Sequence, residues 1–352
     1  MNARNLLSVA ARREYGEPCS QCLRLLPRLI RKKHGFSLHS MIAPSFLSLR
    51  ASALALLSAV AFAGDSVPVL TLSQPAAEVS RGVQLIDPAA FGFGRPGYML
   101  DTTFMDQQDF ANRPGGVDFF EVRTIVPVWT TKVESTRLAL SLGYNLTELD
   151  LGGLAGMGSE TLHTLEAQLS LFWRPTASRW WGLGFVTPGL GTDFQGLSWD
   201  DFEVSGLGLL GYRFSDTFSV AGGAFAQYGA EEGRIFPALG FIWQPEPFIL
   251  QVTPPFVVLG WHATERLTLS LSAYPSGGSW DVEGPNVNRV DLSGWQAAAS
   301  IIYKLTDKLT LSLRGGMNLG GELELRDTNN RTVADETLEA APFGAVNLRW
   351  AF

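Results

Sequence analysis

Few residues of this 352-residue chain have the types and spacing that catalysis requires. A hydrolase needs a base, and beyond residue 63 the histidines are His163 and His262. His163 is followed two residues on by Leu165, so a serine nucleophile is missing from that position. His262 falls at a predicted turn, where a solvated side chain is the ordinary interpretation. The histidines therefore predict no enzyme activity.

Three glycines, Gly206, Gly208 and Gly211, match the G-x-G-x-x-G pattern of dinucleotide-binding loops. That pattern binds pyrophosphate only where a helix begins directly after it, because the helix amides face the phosphates. Here the residues Tyr212 to Phe214 continue an extended segment into a turn. We interpret these glycines as small residues within a strand.

The cysteine and carboxylate patterns predict no metal site and no cofactor. Cys19 and Cys22 form a Cys-x-x-Cys pair, but a zinc or redox role needs a second ligand pair or a βαβ context. The acidic residues do not have the spacing of an EF-hand loop. Loose acidic clusters further along the chain leave one hypothesis open, namely divalent cations that bridge to lipopolysaccharide phosphates.

The N-terminal segment has the features of an export signal. Residues 51–63 form a short apolar run that follows Arg50 and ends in Ala61-Phe62-Ala63, the small-x-small pattern of signal peptidase sites. We predict a signal peptide over 41–63 that is cleaved after Ala63. Residues 1–40 are then an N-terminal extension or the product of a misassigned start.

The net charge of the remaining chain argues against nucleic-acid binding. Residues 64–352 contain 18 basic and 32 acidic residues, a formal charge of −14. Phosphate backbones are bound by lysine and arginine, so an acidic body disfavours a nucleic-acid partner.

The body of the chain alternates between apolar and polar residues with a period of two, which is the period of a β-strand. From Lys308 to Arg326, for example, leucines occupy one face, while threonine, serine, arginine, asparagine and glutamate occupy the other. Long alternating strands are typical of a soluble sandwich or of a barrel. A transmembrane barrel places the apolar face toward lipid and the polar face toward the lumen.

Aromatic residues at the strand ends favour the barrel. The short predicted turns are flanked by residues such as Trp129, Trp173, Trp243 and Trp261, as expected for a girdle at the membrane interface. These short turns lie near 130–136, 174–179, 214–217, 244–247, 262–265 and 304–307. The longer, acidic connections would face outside, at 148–160, 191–201, 228–234, 275–288 and 327–340.

The strand count is even, as in bacterial barrels with both termini on one side. We predict fourteen strands. If the weakly patterned segment 97–105 and one of the short segments do not form strands, the count is twelve. They lie at about 97–105, 117–129, 137–147, 161–174, 180–190, 202–213, 217–227, 234–243, 247–253, 256–262, 266–274, 289–304, 308–326 and 341–352. The fold prediction is all-β: an antiparallel transmembrane β-barrel of 12–14 strands over 97–352, preceded by a cleaved signal peptide. Residues 64–96 form a periplasmic tether or a lumenal plug.

Charged residues on the polar faces are the candidates for the lumen lining, where charge tunes ion selectivity. They are Arg123, Glu166, Arg174, Arg314, Glu322 and Glu324. The alternative is a plugged barrel in which the same residues pair across the lumen. A barrel of twelve to fourteen strands lies between filled small barrels and open porins, so both interpretations stay open.

Several short runs resemble a family of uncharacterised bacterial outer-membrane β-barrels, described as a domain of unknown function. The resemblance spans roughly 117–352 and rests on 172–175, 179–183, 187–190, 210–216, 237–243, 271–275 and 320–327. The resemblance implies the barrel fold and a location in the outer membrane, and it implies no substrate. The terminal Leu348, Trp350 and Phe352 also resemble the signal that the barrel-assembly machinery recognises.

The sequence therefore predicts an integral protein of the bacterial outer membrane that is not an enzyme. The leading functional hypothesis is a porin-like channel for small solutes. The alternatives are a closed structural or adhesion barrel that acts through its acidic loops, and a lipid hydrolase that uses His163. The expected partners are outer-membrane lipid, lipopolysaccharide and the barrel-assembly machinery, and the oligomeric state is left open.

Overall fold

The computed structural model describes residues 97–197, 201–229, 233–253, 255–284 and 286–351. The predicted extension at 1–40, the signal peptide at 41–63 with its cleavage site at Ala61 and Ala63, and the tether or plug at 64–96 lie outside these residues. Phe352 also lies outside them.

The described chain consists of antiparallel strands joined by turns, with one short 3-10 turn at Leu154–Gly156. Alternating side chains and β-branched or aromatic residues favour extended backbone throughout. The strands are β1 Gly97–Asp109, β2 Gly116–Val133, β3 Thr136–Asp150, β4 Ser159–Trp173, β5 Trp180–Thr192, β6 Phe202–Arg213, β7 Phe218–Tyr228, β8 Gly233–Trp243, β9 Phe248–Thr253, β10 Phe256–His262, β11 Leu267–Asp281, β12 Arg289–Lys304, β13 Leu309–Arg326, β14 Thr332–Leu338 and β15 Ala341–Ala351.

The sheet closes on itself, which confirms the barrel prediction. Each strand pairs with its neighbour in sequence as far as β13, and β15 pairs with both β13 and β1. Strand β14 pairs with the outer end of β13, whereas β15 pairs with its inner end. Together β14 and β15 occupy one position in the wall, so the closed barrel has fourteen strands.

The strand predictions are confirmed, with differences in strand length and at the outer side. Strand β11 extends to Asp281, into the segment 275–288 that was predicted to be an outer connection. The weak segment at 97–105 is a full strand of 13 residues, and the two short strands β9 and β10 are both present. The segment 327–340, predicted to be a loop, contains β14, because β13 continues outward and turns back at Asp327–Arg331. The glycine motif at Gly206–Gly211 lies inside β6, as interpreted from the sequence.

The barrel presents an apolar surface on its outside. Large apolar side chains on outward-facing positions of successive strands are exposed, among them Leu142, Leu169, Leu210, Leu271 and Leu313. At the inner rim the rings of Trp180, Tyr212, Phe214, Phe218 and Phe241 follow one another, with centroids 5.0–6.2 Å apart.

A closed barrel with an apolar outer band and an aromatic girdle is the architecture of a transmembrane β-barrel. The chain is therefore an integral β-barrel of the bacterial outer membrane. None of the helices described for the chain is long and apolar enough to cross a membrane.

The outer part of the wall bends inward at β11, β12 and β13. Gly277 and Gly320 have φ values of +116° and +99°, a conformation that glycine adopts without strain. A Cβ at Gly277 would lie 1.9 Å from the carbonyl oxygen of Leu292, so the strands approach too closely for a side chain. Beyond this bend β11 reaches the far wall, where Asp281 pairs with Thr192 at the end of β5.

Candidate functional site

A cluster of buried polar side chains lies on the lumenal face of β13, β15 and β1. Arg314 Nη2 donates to Asp101 Oδ1 at 3.0 Å and to Oδ2 at 3.2 Å. Asn347 Nδ2 and Thr103 Oγ1 donate to the same carboxylate at 3.0 and 3.1 Å. The Arg314 and Asp101 side chains are only 11% and 6% exposed. A carboxylate with four hydrogen bonds is held rigidly in one orientation.

A second ion pair lies on the next part of the same wall. Arg123 on β2 donates to Glu166 on β4, across the intervening β3. Glu166 lies directly over Gly143 of β3, where a Cβ would lie 2.4 Å from the glutamate Cγ. The three predicted lumen residues Arg123, Glu166 and Arg314 are thus inside the barrel, and each is in an ion pair.

The inner mouth of the barrel is lined by basic side chains. Arg174 follows the last residue of β4, and its pKa is lowered by burial and then by the nearby guanidinium of Arg213. The alternation of β3, β12 and β15 turns Arg137, Lys304 and Arg349 to the same lumenal face. The acidic residues of this rim lie in the turns, at Glu134, Asp216, Glu246, Glu265 and Asp307. The lumenal side of the inner mouth therefore carries positive charge.

The outer mouth is narrowed by the inward-bent segment of β11, β12, β13 and β14, which we term the lid (residues 277–284, 286–293 and 321–338). Its inner face contributes Trp280, Val290, Leu292, Leu323 and Leu325 to an apolar core. The facing wall contributes the buried side chains Phe110, Val117, Leu149, Leu151, Leu154, Met157 and Leu162. This core fills the outer lumen between the lid and strands β1 to β4.

Polar contacts join the lid to β4, to β6 and to Asp193, which follows β5. Trp280 Nε1 donates to Thr164 Oγ1 of β4 at 3.1 Å. The backbone amide of Glu283 donates to Asp193 Oδ2 at 2.9 Å. Arg289 lies 3.4 Å from Glu203 of β6. The Asp193 amide also donates to the carbonyl oxygen of Asp281 at 3.1 Å, next to the bridge between Asp281 and Thr192.

The predicted lumen residues Glu322 and Glu324 lie on the outer part of β13, on the face of the lid that also carries Asp291 and Arg289. Their role in the lumen stays a prediction. Leu323 and Leu325 are fully buried in the apolar core, so the two glutamates lie on the opposite face of β13. Glu322 is exposed, and Glu324 accepts hydrogen bonds from Arg326 and Thr332 of the outer hairpin. The irregular backbone at Gly320 shifts the alternation by one residue, which a count by two along the sequence does not reveal.

The lumenal face of β7 and β8 stays open in the outer half. Phe225 and Phe236 face each other across these strands, with ring centroids 6.5 Å apart. Their strand neighbour Leu207 is buried inside the barrel, which places both rings on the lumenal face. Phe236 is nevertheless 50% exposed, and Gln227 is exposed beside it. The lid therefore leaves a space along β7 and β8.

His163 forms no catalytic arrangement with a nucleophile in the described chain. Its Nδ1 lies 2.8 Å from Tyr144 Oη, and its ring packs on Phe194 at 4.7 Å between centroids. His262 contacts Thr268 Oγ1 at 2.9 Å near the inner rim. Within the described ranges, no group of three histidine, cysteine, aspartate or glutamate side chains could hold a metal ion.

The predicted assembly signal lies at the seam where the barrel closes. Leu348 and Trp350 pair with Leu100 and Tyr98 of β1, and Trp350 is exposed to the outside. Recognition of these residues by the barrel-assembly machinery stays a prediction, as does contact of the acidic loops with lipopolysaccharide.

Comparisons with known proteins found one matching family and several similar solved structures. The model of a family described as "Domain of unknown function (DUF6268)" matches residues 133–351. No curated protein matches the chain. An outer membrane channel from Pseudomonas putida F1 is 9% identical, with a TM-score of 0.41 over 76% of this chain and 100% of that one.

Two further solved barrels are similar at the same level. The Pseudomonas putida toluene transporter TodX is 11% identical, with a TM-score of 0.34 over 76% of this chain and 92% of that one. The Salmonella typhi outer membrane phospholipase is 12% identical, with a TM-score of 0.32 over 78% of this chain and 98% of that one.

Proposed function

We propose that this chain, which belongs to the family described as Domain of unknown function (DUF6268), is a gated channel for small solutes across the outer membrane. The lid closes the outer mouth, and the inner mouth attracts anions through its basic lining. Solute passage requires the lid to move away from β5 and β6.

The observation that supports this proposal most strongly is the charged lumenal wall formed by Asp101, Arg123, Glu166 and Arg314. Replacing a buried ion pair by well-packed apolar residues is often neutral or stabilising, so charges inside a barrel are a poor way to fill it. A wall of fixed donors and acceptors is instead suited to polar solutes or water in transit.

The construction of the lid is consistent with a gate. Its own strands are joined by continuous ladders, with five paired positions within the lid for β11 with β12 and five for β12 with β13. Its polar contacts with the far wall include those of Trp280, Glu283 and Arg289 and the bond from the Asp193 amide to the Asp281 carbonyl. A segment whose strands are paired in this way can move as a unit.

Single-channel recording in planar bilayers tests the proposal, with protein purified from the outer membranes of expressing cells. Discrete conductance steps with a preference for chloride over potassium are expected. Replacing Arg174 and Arg213 by glutamine removes two positive charges from the inner mouth and lowers that preference. Arg179→Gln serves as the matched control, because Arg179 is exposed in the adjacent turn.

A folded barrel without conductance steps would contradict the channel and favour the closed structural barrel. Folding is checked by heat-modifiable gel migration. A chloride preference that is unchanged by the Arg174 and Arg213 substitutions would contradict the role of the inner mouth.

A further inference from the structure

We propose that the barrel has a lateral opening between β8 and β11, through which neutral, lipid-soluble small molecules enter the lumen from the outer leaflet. This inference goes beyond the proposed function, since it adds to the channel a lateral route and a second class of solute. The opening lies above the short hairpin of β9 and β10 and behind the bent lid.

The strand pairing defines the opening. β8 pairs with β9 only at 241–243, so its outer residues 233–240 have no ladder partner on that side within the described chain. β10 pairs with β11 as far as Val257 and Ala273, and beyond Ala273 strand β11 departs toward β5. The strand edges 233–240 and 275–280 therefore border the space above the hairpin without a ladder partner on that side in the described ranges.

The opening begins within the membrane. β9 has 6 residues above the inner rim, which at about 3.3 Å per residue and about 40° of tilt reach a height of about 15 Å. The apolar band of such barrels is about 25 Å tall. The tip of the hairpin thus ends about 10 Å below the outer boundary of this band, so the gap above it faces the acyl chains of the outer leaflet.

Strand edges that lack a partner are not tolerated against lipid unless they border a cavity or protein. Each of the two edges contains a proline, Pro237 on β8 and Pro275 on β11. Proline removes a backbone donor and blocks the addition of a further strand at an edge. The edges are thus suited to border an opening, and a peptide strand is a poor occupant.

The side chains around the opening indicate which class of molecule can pass through it. Residues 235–239 on β8 and 274–276 on β11 carry no charge. Leu239 is 75% exposed toward the lipid, and Phe236 faces the lumen next to Phe225. The charged groups near the borders of the opening are in ion pairs: Arg314, 5.9 Å from the centre of the Tyr274 ring, pairs with Asp101, and Arg289 pairs with Glu203. An apolar entrance with aromatic rings behind it favours neutral aromatic or aliphatic molecules.

The burial of inward-facing residues agrees with this route. On the far side the outer lumen is filled, since Val117, Leu149 and Leu162 are fully buried. Along β7, in contrast, the inward-facing Gln227 is exposed, and Phe225 packs on a second apolar cluster that includes Leu207 and Ala238. A molecule that enters between β8 and β11 therefore reaches the two rings of Phe225 and Phe236 at the outer side of this cluster and not the apolar core beneath the lid.

Photolabelling with an aryl diazirine dissolved in the bilayer tests the inference. The full-length protein is purified from outer membranes and reconstituted in phosphatidylcholine vesicles, with glutathione in the water to quench dissolved probe. Labelled residues are mapped by mass spectrometry. We expect labelling at the lumen-facing Phe225 to exceed that at Asn145, a lumenal residue of β3, by about tenfold, the ratio that a modest difference in partitioning gives.

The substitution Phe236→Arg places a cation in the opening and lowers labelling at Phe225 by about tenfold, because a charge disfavours entry of a neutral apolar molecule. Gln227→Arg is the matched control, since it adds the same charge to the lumenal face of the neighbouring strand β7. Phe236→Leu keeps the opening apolar and retains the labelling. Heat-modifiable migration identifies any variant that has not folded.

The outcomes separate the two proposals. Conductance steps together with equal labelling of Phe225 and Asn145 would overturn the lateral opening and leave the channel intact. Labelling of Phe225 without conductance would support the opening and contradict ion passage through the lumen. Loss of both would overturn both.

Discussion

Removal of the Asp101 carboxylate tests whether the charged lumenal wall is dry or hydrated in the closed state. Asp101→Ala deletes the acceptor of four hydrogen bonds, two of them from Arg314. The Arg314 side chain is 11% exposed and would keep an uncompensated charge. Breaking a buried pair in this way costs about 3–5 kcal/mol. A pair in water would cost about 0–1 kcal/mol.

The two cases are distinguished by urea unfolding of the barrel in phospholipid vesicles, followed by tryptophan fluorescence. The closed structure predicts that Asp101→Ala lowers the free energy of unfolding by about 3 kcal/mol or more. Arg314→Met alone is destabilising for the same reason. The double variant is less destabilised than the sum of the single ones, by about 2 kcal/mol, since removing both partners leaves no buried charge.

An exposed ion pair on the outer side serves as the control. Arg113 lies 3.5 Å from Glu336, and the Arg113 side chain is 43% exposed. Arg113→Ala should change the stability by less than about 1 kcal/mol. If Asp101→Ala also costs less than about 1 kcal/mol, the cluster is hydrated and the reasoning from its burial is refuted.

Two further substitutions and a pH effect test other parts of the structure. Leu313→Arg puts a charge on the lipid face of β13 and should destabilise the barrel by about 2–4 kcal/mol in the same unfolding assay, whereas an unchanged midpoint would place this face outside the membrane. Gly277→Val forces a side chain into a φ of +116° and should cost about 1–3 kcal/mol, with faster protease cleavage of the lid as the readout. The pKa of Asp327 is lowered, chiefly by the backbone amide of Arg331 and also by that of Asn329. Its stabilisation of the outer turn is therefore present above the unfolded pKa of about 3.9 and lost as the pH falls through the lowered value. Amide exchange at these two residues should accelerate in that acidic range, and Asp327→Asn should show fast exchange already at neutral pH.

The strand count could be predicted from the sequence because the period of two is a local property of each segment. The aromatic residues at the short turns fixed the choice of a membrane barrel, since Trp180, Trp243 and Trp261 mark an interface that a soluble sandwich lacks. The lid could not be predicted in this way. Its position depends on which distant strands meet, such as Asp281 with Thr192, and alternation gives no information about that pairing.

The lumenal site was predicted in part. Arg123, Glu166 and Arg314 follow an unbroken alternation, and the structure places them on the lumenal face. Asp101 was missed because β1 has a weak pattern, although it alternates between the buried Met99 and Thr103 and is the one acidic residue on that stretch of face. Glu322 and Glu324 lie beyond Gly320, where the backbone shifts the alternation, so counting by two along the sequence could not give the face that they occupy.

The sequence also could not predict which charged residues form ion pairs inside the lumen. Arg123 and Glu166 lie 43 positions apart, and Arg314 and Asp101 lie 213 apart. Opposite charges on inward faces could pair in many ways, and only the order of strands around the barrel selects these pairs.

The most direct test of the gated channel compares single-channel conductance before and after the lid contacts are cut. Asp193→Ala removes the acceptor of the Glu283 amide, and Arg289→Ala removes the ion pair with Glu203. The proposed gate predicts that the double variant, still folded by heat-modifiable migration, spends a larger fraction of time in the open state than the parent. An open fraction that is the same in both proteins, or a folded double variant that never conducts, would contradict it.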